Sequence, residues 1–285
     1  MIKYTVGNVT TDVRVWKFPD TSIGTDINIG GAEPSTNFDH VTIDCRFGEE
    51  GYSVNDILFA LENVVDALKL HYPVGYFHLR MPYVPYARQD RICNPGEGHS
   101  LRVVARRINS LGFDSVCVTD PHSTVLEALI NKCYAADQFD VFKSIYPSFG
   151  NVYVVAPDAG AVKKCEDFAK KTGAEGVIVC HKQRDLKTGK IIKFEILDNL
   201  DVPPGSNFLV LDDICDRGGT FLAVADEVLK LHPARIDLAV THGLFTHEKG
   251  VAPLLDKYDM VYTTDSFNRV QPYEMGGLLK VLAIN

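Results

Sequence analysis

The stretch Val210–Thr220 constrains the fold of this chain more than any other part of the sequence. It overlaps an apolar run, Asn207–Leu211, which predicts a short strand buried on both faces, as strands are in a parallel sheet. Beyond it, apolar residues recur at helical spacing, at Phe221, Val224, Ala225, Val228 and Leu229. A buried strand, a short loop and an amphipathic helix in this order predict a parallel α/β unit, whose ligands bind at the carboxyl ends of its strands.

The residues between this strand and this helix are acidic or small. Asp212 and Asp213 are expected at the carboxyl end of the strand, where their carboxylates can accept hydrogen bonds from neighbouring hydroxyls of a sugar. Gly218, Gly219 and Thr220 are expected at the helix N-terminus, where free N–H groups favour an anion and glycine lets it come close. An Asp-Asp pair followed by two glycines can also be an ordinary acidic turn, but the full pattern is far more specific.

The whole stretch resembles the signature with which proteins of the type I phosphoribosyltransferase fold bind phosphoribosyl pyrophosphate (PRPP). Two groups share that signature: transferases that consume PRPP, and ribose-phosphate pyrophosphokinases, which make it. The resemblance implies that Asp212 and Asp213 bind the ribose hydroxyls. It also implies that the loop after them holds the 5′-phosphate, through Asp216, Arg217, Gly218, Gly219 and Thr220.

The segment Met81–Arg91 distinguishes the two groups. It resembles the Pro-Tyr-x-x-Tyr-Ala-Arg-Gln-Asp-Arg run with which the pyrophosphokinases hold ATP, and the transferases have no counterpart to it. The resemblance implies ATP binding by Arg88, Gln89, Asp90 and Arg91. The chemistry agrees, because the two arginines can meet a polyphosphate while the neighbouring tyrosines and prolines offer flat surfaces to a purine. The alternative is a surface loop whose arginines pair with Asp90.

Two further predicted strands end in candidate ligands. The segment Ser115–Ser123 carries His122 and resembles the pyrophosphokinases' Asp-Leu-His-Ser, which implies that His122 contacts the ATP phosphates and their metal. A histidine alone at a strand end is more often a structural hydrogen-bonding group. Tyr153–Gly160 resembles the family's Ser-Pro-Asp-Ala-Gly, which implies that Asp158 serves the ribose hydroxyls and a Mg²⁺ ion. Asp158 could also cap the helix expected from Ala161 to Lys171. The expected cofactor is therefore Mg²⁺, held by His122 and Asp158.

A pair of cations follows the predicted strand Gly176–Arg184. Lys182 and Arg184 match the first and third residues of the pyrophosphokinases' Lys-Arg-Arg catalytic loop. The polar residues 185–190 are interpreted as a mobile lid that brings both cations over the transferring phosphates when substrates bind. The resemblance thus implies catalytic roles for Lys182, Arg184 and His122. Without the surrounding pattern, solvated surface charge would be the better explanation of the two cations.

The chain is long enough for two moderate domains. It has 285 residues, of which 46% are hydrophobic and 23% charged. Short apolar strands alternate with helical patterns, including a helix capped by Ser53, and Ile236–Phe245 resembles the family's strand and Thr-His-Gly turn. We predict an α/β protein with two similar phosphoribosyltransferase-type domains, each a mainly parallel sheet flanked by helices. The expected domains are residues 1–140, which bind ATP, and residues 141–273, which bind the ribose phosphate; residues 274–285 could join the first.

Composition limits the partners and the compartment. The net charge of −8 argues against nucleic acid, and an acidic protein that binds polyphosphates needs Mg²⁺ and locally placed cations. The seven cysteines show no Cys-x-x-Cys spacing and are interpreted as free thiols. With no signal sequence and no apolar run that could span a bilayer, a soluble cytoplasmic protein without membrane contact is expected. The family resemblance implies that the protein forms a homo-oligomer.

Two departures from the family pattern bear on function. The segment Phe18–Ser22 keeps the Phe and Asp of the family's Phe-x-Asp-Gly-Glu adenine motif but not its Gly-Glu, so Phe18 and Asp20 are the expected adenine contacts. Arg217 stands where the family's usual Asp-Thr-Ala-Gly-Thr loop has threonine. This arginine can hold a terminal phosphate through a bidentate pair. It can also mark a pocket opened for a phosphodiester, such as the pyrophosphate of ADP-ribose.

The predicted reaction is Mg-dependent transfer of pyrophosphate from ATP to the C1 hydroxyl of ribose 5-phosphate, which gives PRPP and AMP. Ribose 5-phosphate is preferred over ADP-ribose because the rest of the ribose site is intact. Two alternatives stay open: a regulatory relative without activity of its own, and a transferase that consumes PRPP. The first is disfavoured because every charged residue of the pattern is present. The second is disfavoured by the Arg-Gln-Asp segment and by the lack of a recognisable base-binding hood.

Overall fold

The computed structural model describes residues 1–28, 40–72, 75–146, 151–184, 191–196, 201–247, 249–267 and 277–284, and it describes only the backbone of residues 182–184 and 191–194. The chain divides into two units. The first unit is Met1–Ala136 with Ser266–Asn268, and the second is Asp137–Asp265 with Arg269–Asn285. The first division falls between Ala136 and Asp137.

The first unit contains eight strands and three helices among its described residues. The strands are β1 (Ile2–Val6), β2 (Val9–Asp12), β3 (Arg14–Lys17), β4 (Ile23–Asp26), β5 (His40–Cys45), β6 (Tyr76–Arg80), β7 (Ser115–Thr119) and β8 (Cys133–Ala136). Six of them form one sheet in the order β2-β1-β5-β6-β7-β8, and β3 pairs with β4 separately. The strands β5 to β8 are parallel, and they are connected by α1 (Val54–His71), α2 (Ser100–Ser110) and α3 (Thr124–Leu129).

The helices of this unit form where the sequence specifies caps and apolar stripes. At the start of α1, the Asp56 N–H donates to the Ser53 hydroxyl (3.2 Å), and the Ser53 N–H donates to the Asp56 carboxylate (2.7 Å). The predicted stripes on α1 and α2 are all buried: Ile57, Leu61, Val64, Val65, Leu68, Leu101, Val104, Ala105 and Ile108. Both stripes are core, as predicted. Within the described ranges, no helix combines the length and the apolar character that a membrane span requires.

The second unit is built on a seven-stranded sheet. Its strands are β9 (Val152–Ala156), β10 (Gly176–Arg184), β11 (Ile191–Ile196), β12 (Asn207–Cys215), β13 (Arg235–Gly243), β14 (Met260–Thr264) and β15 (Leu279–Leu282). They lie in the order β11-β10-β9-β12-β13-β14-β15, and all neighbours are parallel except β10 and β11. The helices are α4 (Gln138–Phe142), α5 (Val162–Thr172), α6 (Gly219–Val228) and α7 (Ala252–Leu255). Together the two units confirm the predicted α/β class with mainly parallel sheets.

The strand order of the second sheet reverses at β9. The chain goes from β9 to β10 on one side and later places β12 on the other side of β9. In open α/β sheets, ligands bind at such a switch point, outside the carboxyl ends of the two strands. The sheet is also covered on both faces: Val155 and Val210 lie in one apolar core with α6, whereas Val154 lies in a second with α5. This two-sided burial explains why β12 reads as an uninterrupted apolar run.

Two features of the second unit differ from expectation. The strand β15 pairs in parallel with β14, from Val261–Leu279 to Thr264–Leu282, so the C-terminal strand belongs to the second sheet and the possibility that it joins the first unit was wrong. The apolar strand extends the open edge of the sheet beside β14. The helix α4 was not predicted, because five residues are too few for a periodic apolar pattern. The helix does have a regular N-cap, because the Asp137 carboxylate accepts a hydrogen bond from the Asp140 N–H at 3.0 Å.

A buried carboxylate in the second sheet makes stability depend on pH. Asp237 of β13 is 0% exposed, and Arg235 forms an ion pair with it at 2.9 Å. Burial raises the pKa of Asp237 to about 6, although the Arg235 guanidinium acts in the opposite direction. Because this native pKa lies above that of an unfolded carboxyl, the native state binds the proton more tightly, and stability falls as the pH rises through this range.

We expect the variant Asp237→Asn to lack this pH dependence. Relative to the wild type, its free energy of unfolding should rise by about 2 kcal/mol between about pH 4 and pH 7, because only the wild-type side chain must lose its proton. Urea unfolding of both proteins across this range measures the difference. A difference that stays constant with pH would contradict the expectation, whatever its absolute size.

Candidate active site

The predicted acids of the second unit lie at the switch point of its sheet. Asp158 follows the end of β9 by two residues, and Asp212 and Asp213 lie in the last half of the neighbouring strand β12. The expectation that β12 ends at Leu211 was wrong. The strand continues to Cys215 because its ladder with β13 continues, through the pairs Asp212–Val240 and Cys215–Gly243. The two acids are therefore held by sheet hydrogen bonding and do not belong to a loop.

The three carboxylates influence one another. Asp213 is buried, Asp212 is half-buried, and the Asp213 N–H donates to the Asp212 carboxylate at 2.9 Å. Burial raises the pKa of Asp212 well above its usual range, and the negative charges of Asp213 and Asp158 raise it further. A group of acids in this state is stabilised by hydroxyl donors or by a cation.

Asp158 is oriented by the turn that follows it. Its carboxylate accepts a hydrogen bond from the Gly160 N–H at 2.8 Å. The helix α5 instead begins after Ala161, whose side chain makes no capping hydrogen bond. The suggestion that Asp158 caps this helix was therefore wrong. A cap at Asp158 would require a helix that begins at residue 159, whereas α5 begins three residues later, at Val162.

The loop between β12 and α6 has the geometry that the sequence predicts. Gly218 lies in the left-handed region (φ 78°) directly before the first residue of α6, Gly219. Gly218 is buried, whereas Arg217 and Gly219 are exposed and Thr220 is half-buried. The first-turn N–H groups of α6 therefore lie beside exposed backbone, where they can meet an anion.

A second segment, which the sequence did not single out, supports this loop. Thr246 follows β13 and contacts Asp216 twice: its N–H donates to the Asp216 carbonyl at 3.1 Å, and its hydroxyl hydrogen-bonds to the Asp216 carboxylate. The Leu244 N–H also donates to the Cys215 carbonyl at 2.8 Å. These residues follow the Thr-His-Gly segment, which was expected as a turn but forms the end of β13, so the end of this strand fixes the start of the loop. Asp216 is thereby a structural part of the loop, in addition to any role toward a ligand.

The predicted nucleotide loop of the first unit lies beside the predicted histidine turn. The Met81 N–H donates to the Cys117 carbonyl at 2.9 Å, and the Thr119 N–H donates to the Pro82 carbonyl at 3.0 Å. These bonds join the start of the loop to the end of β7, directly before the turn that carries His122. The structure therefore brings these two segments together at the carboxyl ends of β6 and β7.

The nucleotide loop has a buried base and an exposed tip. Tyr83 is 9% exposed, and its ring packs edge-on against Phe47 and Phe267. This ring supports the loop and is not the flat exposed surface for a purine that we expected. In contrast, the side chains at the tip reach solvent: Arg88, Gln89 and Arg91 are exposed and Asp90 is half-buried. The cations are thus presented from a rigid base.

The turn after β7 contains an acid, Asp120, that lies outside the roles predicted from the sequence motifs. Asp120 is 2% exposed and has a φ of 40°, in the left-handed region that is uncommon for residues other than glycine. Its N–H donates to the Ala136 carbonyl at 2.7 Å. Strained backbone of this kind is concentrated at functional sites. The Asp-Pro pair at residues 120 and 121 was the available signal for a turn. His122, two residues further on, is exposed.

The predicted adenine contacts lie at the tip of the hairpin formed by β3 and β4. The Asp20 carboxylate accepts from the Ser22 hydroxyl (2.6 Å) and the Ser22 N–H (3.0 Å), and these bonds lower the pKa of Asp20. The Phe18 ring is 48% exposed and contacts Trp16 edge-on. Both side chains are exposed, but the Asp20 carboxylate closes its own turn, whereas the Phe18 ring offers an apolar surface.

The two predicted lid cations are only partly described. The backbone of Lys182 and Arg184 lies at the end of β10, which pairs antiparallel with β11, and the pairing is irregular between Gln183 and Arg184. Their side chains, and the predicted lid 185–190, lie outside the described residues. Among the residues that are described, no group of three or more histidines, cysteines or acids could hold a metal ion. His122 and Asp158 belong to different units, and their joint metal site stays a prediction.

We expect the two glycines of the loop to respond differently to alanine. At Gly218 an added Cβ would lie 3.3 Å from Leu254 and would occupy a left-handed backbone, so Gly218→Ala should lower the free energy of unfolding by about 1–2 kcal/mol. At Gly219 nothing lies within 4 Å of an added Cβ, and Gly219→Ala should leave stability within about 0.5 kcal/mol. Urea unfolding of both variants measures this, and equal effects would be evidence against the described loop conformation.

Known proteins resemble this chain over the regions that carry the site. Residues 140–275 match the family model of the phosphoribosyl transferase domain. The ribose-phosphate pyrophosphokinase of Ureaplasma parvum is 32% identical over 201 residues, which cover 68% of this chain and 58% of that protein. The one from Aquifex aeolicus is 29% identical over 242 residues, which cover 83% of this chain and 73% of that protein. The chain thus spans less than two thirds of the Ureaplasma protein.

A solved structure shares the fold of nearly the whole chain. The crystal structure of phosphoribosylpyrophosphate synthetase from Mycobacterium smegmatis superposes with a TM-score of 0.79 at 21% identity, covering 97% of this chain and 87% of that one. The likeness therefore includes the first unit, which lies outside the matched transferase domain. Since relatives, fold and the order of the candidate segments agree, the chain belongs to the ribose-phosphate pyrophosphokinase family.

Proposed function

We propose that the chain transfers a pyrophosphoryl group from ATP to the C1 hydroxyl of ribose 5-phosphate, giving PRPP and AMP. The observation that carries the proposal is the placement of Asp158, Asp212 and Asp213 beside the loop 216–220 at the switch point of the second sheet. Hydroxyl-accepting acids next to an anion-binding loop suit a sugar that carries a phosphate. The Ureaplasma and Aquifex relatives are named as ribose-phosphate pyrophosphokinases, which supports the same reaction.

In this proposal the second unit orients the acceptor. Asp212 and Asp213 accept hydrogen bonds from the ribose hydroxyls, and the first turn of α6 with Thr220 and Arg217 holds the 5′-phosphate. Two anchors at opposite ends of a small sugar fix its C1 hydroxyl in one direction. This alignment replaces a random encounter by a positioned one, which is a large part of catalysis in phosphoryl transfer.

The first unit, in turn, holds the nucleotide. Arg88 and Arg91 are exposed on a loop with a buried base, and guanidinium groups suit the oxygens of a polyphosphate. Gln89, Asp90 and His122 complete this side, and Phe18 with Asp20 would contact the adenine. The buried base fixes where the two arginines leave the loop, which limits the backbone entropy that ATP binding must overcome, while their side chains stay free to follow the phosphates.

The carboxylate of Asp158 suits a Mg²⁺ ion that takes most of its other ligands from phosphates and water. Carboxylate oxygens are its preferred protein ligands, and Asp158 adds its charge to that of Asp212 and Asp213. Asp158 on the acceptor side and His122 on the nucleotide side are the residues that we assign to the ion. When bound, Mg²⁺ would neutralise phosphate charge and would polarise the phosphorus under attack.

The proposed step is an in-line displacement. The oxygen of the C1 hydroxyl forms a bond to the β-phosphorus of ATP, the bond from that phosphorus to the bridging oxygen of AMP breaks, and the hydroxyl proton is released. Lys182 and Arg184 stabilise the charge that develops on the transferring group. The chain itself supplies position and charge and forms no covalent intermediate.

ADP-ribose is the second candidate acceptor, and the exposed side of the phosphate loop favours it. Arg217 and Gly219 are exposed, and no atom lies within 4 Å of a Cβ built on Gly219. The loop thus has room for more than a terminal phosphate, and the Arg217 side chain could bind a second phosphate group. ADP-ribose presents the same ribose hydroxyls at its reacting end.

The choice between the two acceptors can be measured directly. The protein is incubated with Mg-ATP and either ribose 5-phosphate or ADP-ribose, and AMP is quantified. We expect AMP release with ribose 5-phosphate. AMP release with ADP-ribose alone would show that ADP-ribose is the acceptor in the same reaction. AMP release with neither sugar would reject the reaction and favour a regulatory relative.

The role of Lys182 can be separated from ATP binding. Lys182→Ala should lower kcat by about a hundredfold or more while the Kd for ATP changes by less than about threefold, because its charge is needed mainly in the transition state. Lys170→Ala, on the exposed last turn of α5, is the matched control and should leave both quantities unchanged. Unchanged AMP release by Lys182→Ala would reject the assignment.

A further inference from the structure

The side chain of Gln138 reaches the acid pair of β12 from a distant part of the sequence. It is the first residue of α4 and is only 4% exposed. Its Nε2 donates to the carbonyl of Asp212 at 2.6 Å, across 74 positions of the chain. No role for Gln138 follows from the motifs of the sequence.

This hydrogen bond acts on the peptide group that joins the two acids. The carbonyl of Asp212 and the N–H of Asp213 belong to one planar peptide unit. Gln138 donates to the carbonyl end of this unit, and the N–H end donates to the Asp212 carboxylate at 2.9 Å. Bonds at both ends restrict rotation of the plane, which would turn the two side chains relative to each other.

The bond also lies where the sheet gives less support. The ladder of β12 with β9 ends at the pair Val210–Val155, two residues before Asp212. Beyond that pair, the ladder with β13 continues on the other side. A side-chain amide is a suitable donor at such a point, because buried backbone carbonyls need a partner and a regular strand is no longer there to supply one.

Gln138 is itself held in place by the short helix that carries it. The Asp137 cap accepts from the Asp140 N–H at 3.0 Å and forms an ion pair with Lys171 of α5. Phe142 is fully buried and Phe139 packs on Phe168 of α5. A helix of five residues is not stable alone, so these contacts keep α4, and with it the amide of Gln138, in position.

We infer that Gln138 is a positioning residue for the acceptor site, which fixes the peptide group between Asp212 and Asp213 and so aligns both carboxylates with the ribose hydroxyls. This inference rests on the proposed function, since it assigns those carboxylates to the acceptor. Gln138 acts through Asp212 and does not touch the substrate in this assignment.

The test replaces Gln138 by methionine, which has a similar shape and no N–H donor. We expect the KM for ribose 5-phosphate, or for ADP-ribose if that is the acceptor, to rise about fivefold, as the loss of one buried hydrogen bond implies. The KM for ATP should stay within twofold. A purely structural role would lower stability without separating the two KM values.

A matched control removes the same kind of bond elsewhere. In the first unit, the Asn109 side-chain amide donates to the Leu129 carbonyl at 2.9 Å, and its oxygen also accepts from the Asn131 N–H at 2.8 Å, so its replacement costs at least as much stability. Asn109→Leu should lower thermal stability, as we also expect of Gln138→Met, but should leave the KM for the sugar unchanged. A rise in this KM in both variants, or in neither, would overturn the inference.

Calorimetric binding distinguishes this failure from failure of the proposed function. Ribose 5-phosphate and ADP-ribose are titrated into the wild type and Gln138→Met without ATP. If the wild type binds a sugar but releases no AMP, the reaction is rejected, and weaker binding by Gln138→Met still supports the positioning role. Equal binding by both proteins, or no binding of either sugar by the wild type, overturns it.

Discussion

Repulsion among the carboxylates of Asp158, Asp212 and Asp213 is the constraint on which the acceptor site depends. Coulomb repulsion between charges becomes stronger as they are removed from water, and Asp213 is buried. The acids cannot separate, because β12 is laddered to β9 up to Val210 and to β13 beyond it. The fold therefore holds the site in an unfavourable state that a cation or a set of hydroxyls relieves. Binding free energy and native stability are coupled at this point, as they often are where pKa values are strongly perturbed.

The two loops that we propose to hold phosphate are built by different physical means. In the second unit, the loop before α6 uses backbone: a buried left-handed Gly218 precedes the helix, and Thr246 holds Asp216. In the first unit, the loop 81–91 uses side chains: arginines at an exposed tip stand on a base that Tyr83 buries. A backbone cradle has a fixed size and suits one small anion. Arginines on flexible stems can follow a polyphosphate of varying conformation.

The sequence predicted those parts of the fold and site that depend on local chemistry. The strand, glycine loop and helix around residues 207–229 and the capped helix after Ser53 are found as expected, since burial, left-handed glycine and capping each leave a local pattern. The end of β12 was misplaced, because charged residues continue a strand when its neighbour β13 continues the ladder. The helix α4 was not predicted, because five residues are too few to show a helical period. The sheet to which the C-terminal strand belongs was not predicted either, because periodicity does not reveal the partner of a strand.

The contacts that orient the site are of the kind that sequence patterns cannot reveal. Thr246 supports Asp216 and Gln138 supports Asp212, and each bond joins residues that are far apart in the chain. Both fix groups that a motif had already named. A motif preserves the residues that touch a ligand, because their chemistry is demanding, whereas any donor at the right point can fix a backbone carbonyl. Identity at a motif therefore predicts which chemistry a site can perform, and the supporting hydrogen bonds decide how well the acids are aligned for it.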